Sequence, residues 1–333
     1  MRNSRILSVG HYVPPKVVTN NDLTVYMETS DDWIRERTGI QERRYSEDSV
    51  GAADMGALAA REALERAGVD ATDIDCVIFA TLSPDVDMPA SACVMQARLG
   101  IGGILAFDVK NQCSGFLYSL AIANVFIKTG RFDHVLVVGS EVHSTGIDLS
   151  TRGRDVAVIF GDAAGAVVLA PEDNPQRGIL STHLYAEGQY AEKLWLECAA
   201  SRERPRITED MITSAEGRIF PRMSGRYVFK HAITRFSEVI HEALDTHGYA
   251  LSDLSLLIPH QANLRISQMV AMGLELPEEK MFNNIERYGN TTAASIPLAL
   301  YEVLEAGRLR ENDLLCLAAF GAGFTWASAL IRW

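Results

Sequence analysis

The sequence predicts an α/β protein made of two similar halves, residues 1–172 and 173–333, packed as one body. Three observations carry this. Residues 63–83 (ALERAGVDATDIDCVIFATLS) and 243–263 (ALDTHGYALSDLSLLIPHQAN) repeat one pattern: the end of a charged helix, a glycine, a short connector and an apolar strand. Each half then continues with a loop, a long apolar helix, a glycine stop and a second apolar strand. Finally, helices alternating with uninterrupted apolar strands are the pattern of buried, parallel-rich sheets covered by helices.

Taken in order, the chain enters a strand at Ile6-Leu7-Ser8-Val9. The first repeat unit stops its helix at Gly68, where the left-handed conformation caps a helix end. It then passes Asp73-Ile74 into a strand. Its long helix runs from Cys113 to Thr129 and stops at Gly130, ahead of the strand Val135–Gly139. Two further strands are expected at Val156–Phe160 and Ala166–Leu169, around the turn Gly161-Asp162. Pro171 to Arg177 joins the halves. In the second half Gly248, Asp253-Leu254, the helix Ala293–Ala306, Gly307 and the strand Leu314–Ala318 repeat the series. The polar, arginine-rich stretch from Ala199 to Arg222 reads as a surface excursion able to cover a site.

An apolar fraction of 47% over 333 residues supports a large core and excludes disorder, collagen-like and coiled-coil architectures. The net charge of −12 argues against nucleic-acid and anionic-membrane partners. Five cysteines at unrelated spacings form neither a disulfide framework nor a metal motif, which points to the cytoplasm and to no metal. No leader peptide or membrane span is read from the sequence.

Cys113 is the leading candidate for chemistry. It opens a helix that is apolar nearly all round, where the positive end of the helix dipole and unpaired N–H groups favour a thiolate; buried free cysteine is also commonplace. Cys76, Cys93 and Cys316 lie in apolar strand or helix patterns and read as structural. A nucleophilic thiol needs a proton acceptor or hydrogen-bonding partner. His260 supplies one at the end of the strand Leu256–Pro259, and the ends of parallel strands are where sites assemble. The remaining histidines, His11, His134, His143, His183, His231, His241 and His247, read as surface residues. Asn290 precedes the helix that matches the Cys113 helix in the repeat, so it faces the same pocket, unless it serves only as a turn residue or cap. Backbone N–H groups in Phe320-Gly321-Ala322-Gly323 are able to form an oxyanion hole; a plain hairpin is the alternative. No rival nucleophile motif, phosphate loop or zinc motif is present.

These segments resemble β-ketoacyl-acyl-carrier-protein synthase III, the initiating condensing enzyme of the thiolase superfamily. The likeness rests on Thr29-Ser30-Asp31-Asp32-Trp33-Ile34, Arg37-Thr38-Gly39-Ile40, Gln112-Cys113-Ser114-Gly115, Phe160-Gly161-Asp162, Pro259-His260-Gln261-Ala262-Asn263-Leu264-Arg265, Tyr288-Gly289-Asn290-Thr291 and Gly323-Phe324-Thr325-Trp326, in order from end to end. The resemblance implies a duplicated thiolase-like fold of five layers, α/β/α/β/α. It implies a Cys113–His260–Asn290 triad and an oxyanion hole from the N–H groups of Cys113 and Ala322. Trp33 and Arg152 would stack the adenine of coenzyme A. Arg37, Thr38, Met223, Gly225, Phe229 and Asn263 would follow its pantetheine arm, and Lys230 and Arg265 would dock an acidic carrier protein. It further implies a homodimer in which Met88 closes the partner's acyl pocket.

The implied reaction is decarboxylating condensation of an acyl-coenzyme A starter with a malonyl thioester, on acyl carrier protein or coenzyme A. It needs no cofactor and serves fatty acid or related secondary-metabolite synthesis. Acyl transfer or thioester hydrolysis on the same scaffold, a degradative thiolase and a non-catalytic partner subunit are the alternatives. Three features depart from the family pattern: Ala322 in place of glycine, Met88 in place of phenylalanine, and the length of the 199–222 excursion. They resemble secondary-metabolite relatives such as quinolone-forming synthases.

Overall fold

The two glycines that punctuate the sequence repeat, Gly68 and Gly248, both adopt left-handed backbone, with φ of +64° and +68°. The computed structural model describes residues 2–333. The chain opens with β1 (Asn3–Tyr12), β2 (Lys16–Thr19), α1 (Asn20–Leu23), α2 (Asp31–Thr38) and β3 (Glu42–Tyr45). Next come α3 (Ala52–Ala67), β4 (Cys76–Ala80), α4 (Ser91–Leu99), β5 (Leu105–Val109), α5 (Gly115–Lys128) and β6 (Val135–Glu141). α6 (Arg154–Ala157) and β7 (Ala163–Glu172) follow, and residues 173–177 lead to β8 (Gly178–Ala186) and β9 (Leu194–Trp195). The remainder is α7 (Glu209–Thr213), β10 (Arg222–Met223), α8 (Gly225–Asp245), β11 (Leu256–Pro259), α9 (Leu264–Gly273), α10 (Ile285–Tyr288), α11 (Ser295–Glu305), β12 (Leu314–Gly321) and β13 (Thr325–Arg332).

Of the two larger sheets, one has the order β1-β7-β6-β4-β5 and the other β8-β13-β12-β11, while β2-β3 and β9-β10 form two-stranded ribbons. An isolated parallel bridge from Leu257 to Met281 occupies the place in the second sheet that β5 holds in the first. Pairing directions match as well: β4 lies parallel to β5 and β6, β11 parallel to β12, and the other pairs are antiparallel. The sheets are therefore mixed rather than mainly parallel. β12 returns directly into β13, a connection that only an antiparallel pair permits.

Side-chain alternation along the strands separates the layers. Cys76 and Ile78 of β4 join α5 and α11 in a central core that also takes Leu256 and Ile258 of β11. Val77 and Phe79 face the other way, onto α3 and α4. Leu257 of β11 and Cys316 of β12 face α8 and α9. The result is α3/α4, sheet, α5/α11, sheet, α8/α9: the five layers that the resemblance implied.

Two local expectations fail. Val156–Phe160 is not a strand: α6 ends at Ala157, and Val158 and Ile159 turn into a small core with Leu23, Ile34 and Ile40. Its apolar residues serve a cap over one end of the sheets, and only Phe160 makes a bridge, parallel to Asn290. Cys93, read as structural, is exposed on α4.

The excursion is a surface feature held by charge. Glu197 takes up Arg202, Arg218 and Arg222, and Arg218 also meets Glu203 at 2.8 Å. Arg206 reaches Asp87 at 2.7 Å, tying the excursion to the loop that carries Met88.

Candidate active site

Cys113 enters α5 through a short turn at Gln112–Ser114, and the matching turn at Thr292–Ala294 leads into α11. Both turns begin on a non-glycine residue in the left-handed region: Gln112 at φ +43° and Thr292 at φ +49°. Strained positions of this kind persist where the surrounding structure over-determines them, and they cluster at sites. In the first half the strained residue presents Cys113; in the second it precedes Ala293.

The two halves are stapled beside this turn. Asn290 donates its N–H to the Ile159 carbonyl at 2.8 Å, and its own carbonyl accepts from the Gly161 N–H at 3.1 Å. The Phe160-Gly161-Asp162 and Tyr288-Gly289-Asn290 segments are thus two sides of one bridge. The Asn290 Oδ1 accepts from the Thr292 N–H at 2.8 Å, which leaves Nδ2 as the donor available to the cavity.

A cavity of about 810 Å³ has Cys113, His260 and Asn290 in its lining, together with Phe320 and Gly321. Its walls include Trp33, Arg37, Thr38, Met223, Gly225, Phe229, Asn263 and Arg265. The expected triad is therefore brought together from three separate parts of the chain.

Cys113 is buried. Desolvation, and then the buried Glu141 carboxylate, push its thiol up to about 12. Hydrogen bonds from its own N–H, from the Thr292 hydroxyl and from the Ala322 N–H oppose that shift. The expectation that the helix dipole and unpaired N–H groups favour a thiolate meets an opposing effect: burial pushes the thiol up. The Cys113 and Ala322 N–H groups are both among the donors that hold the thiol down, so both lie on the cavity side where an oxyanion would form beside the sulfur. Gly321 is required by proximity, because a Cβ there would lie 2.7 Å from the Cys113 Cβ.

His260 is also buried, which pushes it down to about 3 and keeps the imidazole neutral. Its Nδ1 lies 2.6 Å from the Ser295 hydroxyl oxygen, and its Nε2 has no partner among the described residues. Buried polar atoms are nearly always satisfied, so an orphan in a cavity wall marks a ligand contact. The Ser295 oxygen accepts from the Gln261 N–H at 3.4 Å. With the Ser295 O–H donating to Nδ1, the His260 proton sits on Nε2.

Sequence reasoning missed several residues of the site. His143, expected at the surface, is buried: its Nε2 lies 2.7 Å from the Thr292 Oγ1 and its ring packs on Phe160. The apolar strand β6 carries it inward, and its partner is 149 residues away in the chain. Glu141 is buried on the same strand, bound by the Ser83 hydroxyl at 2.6 Å and held up to about 7 by burial. At the mouth, Trp33 has Arg37 on one contact at 4.4 Å and Arg154 on another at 4.5 Å.

Of the other expected positions, Arg152, Met88 and Lys230 fall outside the cavity lining. Arg152 turns away from it: its Nε meets Asp148 at 2.6 Å and its Nη1 donates to the Ser214 and Ala215 carbonyls of the excursion. Arg154, two residues on, takes the place beside Trp33. Met88 is 84% exposed and far from burial in its own chain. Lys230 is exposed on α8, and Arg265 is exposed at the start of α9, where Asn263 caps the helix. Asn263 also donates to the Arg37 carbonyl at 3.0 Å, and Thr38 donates to the Ile34 carbonyl at 2.7 Å.

Comparison with known proteins agrees with this geometry. The family model for 3-oxoacyl-[acyl-carrier-protein] synthase III matches residues 107–188, and that for its C-terminal part matches residues 244–333. A β-ketoacyl-[acyl-carrier-protein] synthase III from Rhodospirillum centenum is 45% identical, covering 99% of each chain. The crystal structure of 3-oxoacyl-[acyl-carrier-protein] synthase III from Aquifex aeolicus superposes with a TM-score of 0.90 at 41% identity, over 99% of this chain and 100% of that one. The priming β-ketosynthase of the R1128 polyketide pathway gives a TM-score of 0.89 at 33% identity, covering 99% and 96%. With its duplicated five-layer fold and its converging cysteine, histidine and asparagine, this chain belongs to the β-ketoacyl-[acyl-carrier-protein] synthase III family of condensing enzymes.

Proposed function

We propose that Cys113, His260 and Asn290 carry out the two stages of the family's decarboxylating condensation in the cavity they share. In the first stage the Cys113 sulfur attacks the carbonyl of an acyl-coenzyme A. The Cys113 and Ala322 N–H groups hold the developing oxyanion; losing one such donor typically costs about 3 kcal/mol of barrier. The carbon–sulfur bond to coenzyme A breaks, and the cysteine proton ends on the departing thiolate.

In the second stage a malonyl thioester enters. The His260 Nε2–H and the Asn290 Nδ2–H donate to its thioester carbonyl, stabilising the enolate formed as carbon dioxide leaves. The enolate carbon attacks acyl-Cys113, releasing a β-ketoacyl thioester and the Cys113 thiolate, which takes a proton from water. A neutral His260 suits this role, since it works as a hydrogen-bond donor and not as a base. The thioesters supply the activation, and the reaction draws on no cofactor.

The remaining assignments follow the cavity outward. Arg37 and Arg154 both lie over the Trp33 ring, and adenine would stack there by displacing one of the two guanidinium groups. Thr38, Met223, Gly225, Phe229 and Asn263 line the route of the pantetheine arm. Arg265 and Lys230 form an exposed basic rim for malonyl-acyl carrier protein. A homodimer is proposed through the free edge of β5, where Leu105 is exposed beside the loop bearing Val86 and Met88. Met88 would then wall the partner's acyl pocket. Among the described residues no helix is long and apolar enough to cross a membrane.

The observation that carries this reading is the convergence of one thiol, one unpartnered imidazole nitrogen and two backbone donors in a single cavity. Intact-mass measurement after incubation with a panel of acyl-coenzyme A thioesters tests it. Wild type gains one acyl group and Cys113→Ala gains none. His260→Ala still loads but releases carbon dioxide from labelled malonyl donor at least a hundredfold more slowly. An adduct on Cys113→Ala rejects the assignment.

A further inference from the structure

The reaction as described leaves a neutral, buried thiol to become a nucleophile, and His260 and Asn290 are committed to the malonyl stage. A second buried histidine stands behind the sulfur. His143 lies two residues past β6, its Nε2 2.7 Å from the Thr292 Oγ1, and the Thr292 side chain is one of the groups that hold the Cys113 thiol down against burial. We propose that His143 is a positioning residue for acyl loading: its Nε2–H donates to the Thr292 Oγ1, so that the Thr292 O–H is committed as donor to the Cys113 sulfur. This rests on Cys113 being the nucleophile.

The direction of the chain follows from counting protons. A hydroxyl has one hydrogen; when it points at sulfur, the oxygen can only accept from the histidine, so that nitrogen must carry its own hydrogen. A neutral imidazole has one N–H to give, and burial keeps His143 neutral, down to about 4. Both partners are fixed. The His143 ring rests on Phe160 at 4.5 Å, and its backbone N–H is anchored on the Asp162 carboxylate at 2.7 Å. Thr292 is held in left-handed backbone at φ +49°, with its N–H on the Asn290 Oδ1. Thr292 therefore joins both stages, orienting Asn290 through its backbone and Cys113 through its side chain.

A donor at sulfur stabilises the thiolate over the thiol without moving a proton. The charged or titratable groups around the pair are Asp162 against His143, Glu141 against Cys113, and His260 across the cavity. Glu141 disfavours the thiolate, so the Thr292 donor opposes a built-in penalty.

The test reads the pH dependence of Cys113 alkylation by iodoacetamide in a Cys93→Ser background, because Cys93 is exposed and would react as well. His143→Leu and Thr292→Val are each expected to slow Cys113 alkylation about tenfold between pH 7 and 9, the loss of thiolate that one unit of upward shift produces. Acyl loading should slow in step. His143→Gln and Thr292→Ser keep a donor at the same place and should restore both, and the double variant His143→Leu/Thr292→Val should be no worse than Thr292→Val alone. Thermal unfolding of all four single variants checks their folding, and the Gln and Ser variants read the chain if the other two are unstable. An unchanged alkylation rate in His143→Leu, multiplicative losses in the double variant, or no recovery in His143→Gln would each overturn the proposal. Wild type that takes up no acyl group at Cys113 would instead overturn the assignment of the nucleophile.

Discussion

Gly321 and Cys113 are in direct contact across the two halves: a methyl group on Gly321 would lie 2.7 Å from the cysteine Cβ and 3.2 Å from its sulfur. The end of β12 is thus pressed against the turn into α5. Gly321→Ala has no room that does not displace the sulfur from the Ala322 N–H. Overpacking of this kind costs about 1–3 kcal/mol of stability, and acyl loading measured by intact mass should fall at least tenfold. Loading at the wild-type rate would show that the turn yields.

Stability against pH follows from three buried groups. His143 and His260 fall from an ordinary 6.5 to about 4 and about 3, while Glu141 rises from 4.5 to about 7. Between pH 6.5 and 4.5 the unfolded chain binds two histidine protons that the folded chain refuses, so stability drops as pH falls. Glu141 acts oppositely, since the folded carboxyl keeps a proton that the unfolded one releases. Two against one leaves stability falling with falling pH across that window, by on the order of 1 kcal/mol per pH unit. Glu141→Gln should steepen that fall, read by denaturant unfolding across that window. A shallower slope in the variant contradicts the assignment.

At the mouth, Trp33 is the one aromatic face between two guanidinium groups. A base stacked on an aromatic ring gains about 1–3 kcal/mol. Trp33→Ala should therefore raise the KM for acyl-coenzyme A about tenfold or more, with kcat retained. Arg154→Ala should raise KM, whereas Arg152→Ala, whose side chain serves the excursion, should leave it near the wild-type value. Steady-state kinetics with varied acyl-coenzyme A separate the two arginines.

Glu197 gathers three arginines of the excursion. Glu197→Ala leaves those cations repelling one another, and trypsin should then cut within residues 196–222 several times faster than in wild type. The unfolding temperature should barely move, since the segment lies outside the three main cores. Unchanged cleavage would mean that other contacts hold the segment.

The features legible in sequence were those written locally or twice. The glycine stops, the apolar strands and the two long helices recur in both halves, so the second occurrence checks the first. Cys113 and His260 stood out because each occupies the end of a regular element. His143 did not, since nothing near it in sequence names its partner Thr292, and an isolated histidine after an apolar strand looks like one leaving the core. Val156–Phe160 misled because an apolar run records burial, not the element that is buried. Arg152 and Arg154 differ by two positions, the first in the turn before α6 and the second at its start, which is enough to send one to the excursion and the other to Trp33.

The paired left-handed residues, Gln112 and Thr292, give the molecule two equivalent seats of which only one holds sulfur. The other seat, emptied of reactivity by Ala293, has become the framework that aims its sibling. Severing the chain between residues 172 and 178 would leave a fragment with a warhead but no aim and another with aim but no warhead, so the chemistry belongs to the seam and to neither lobe.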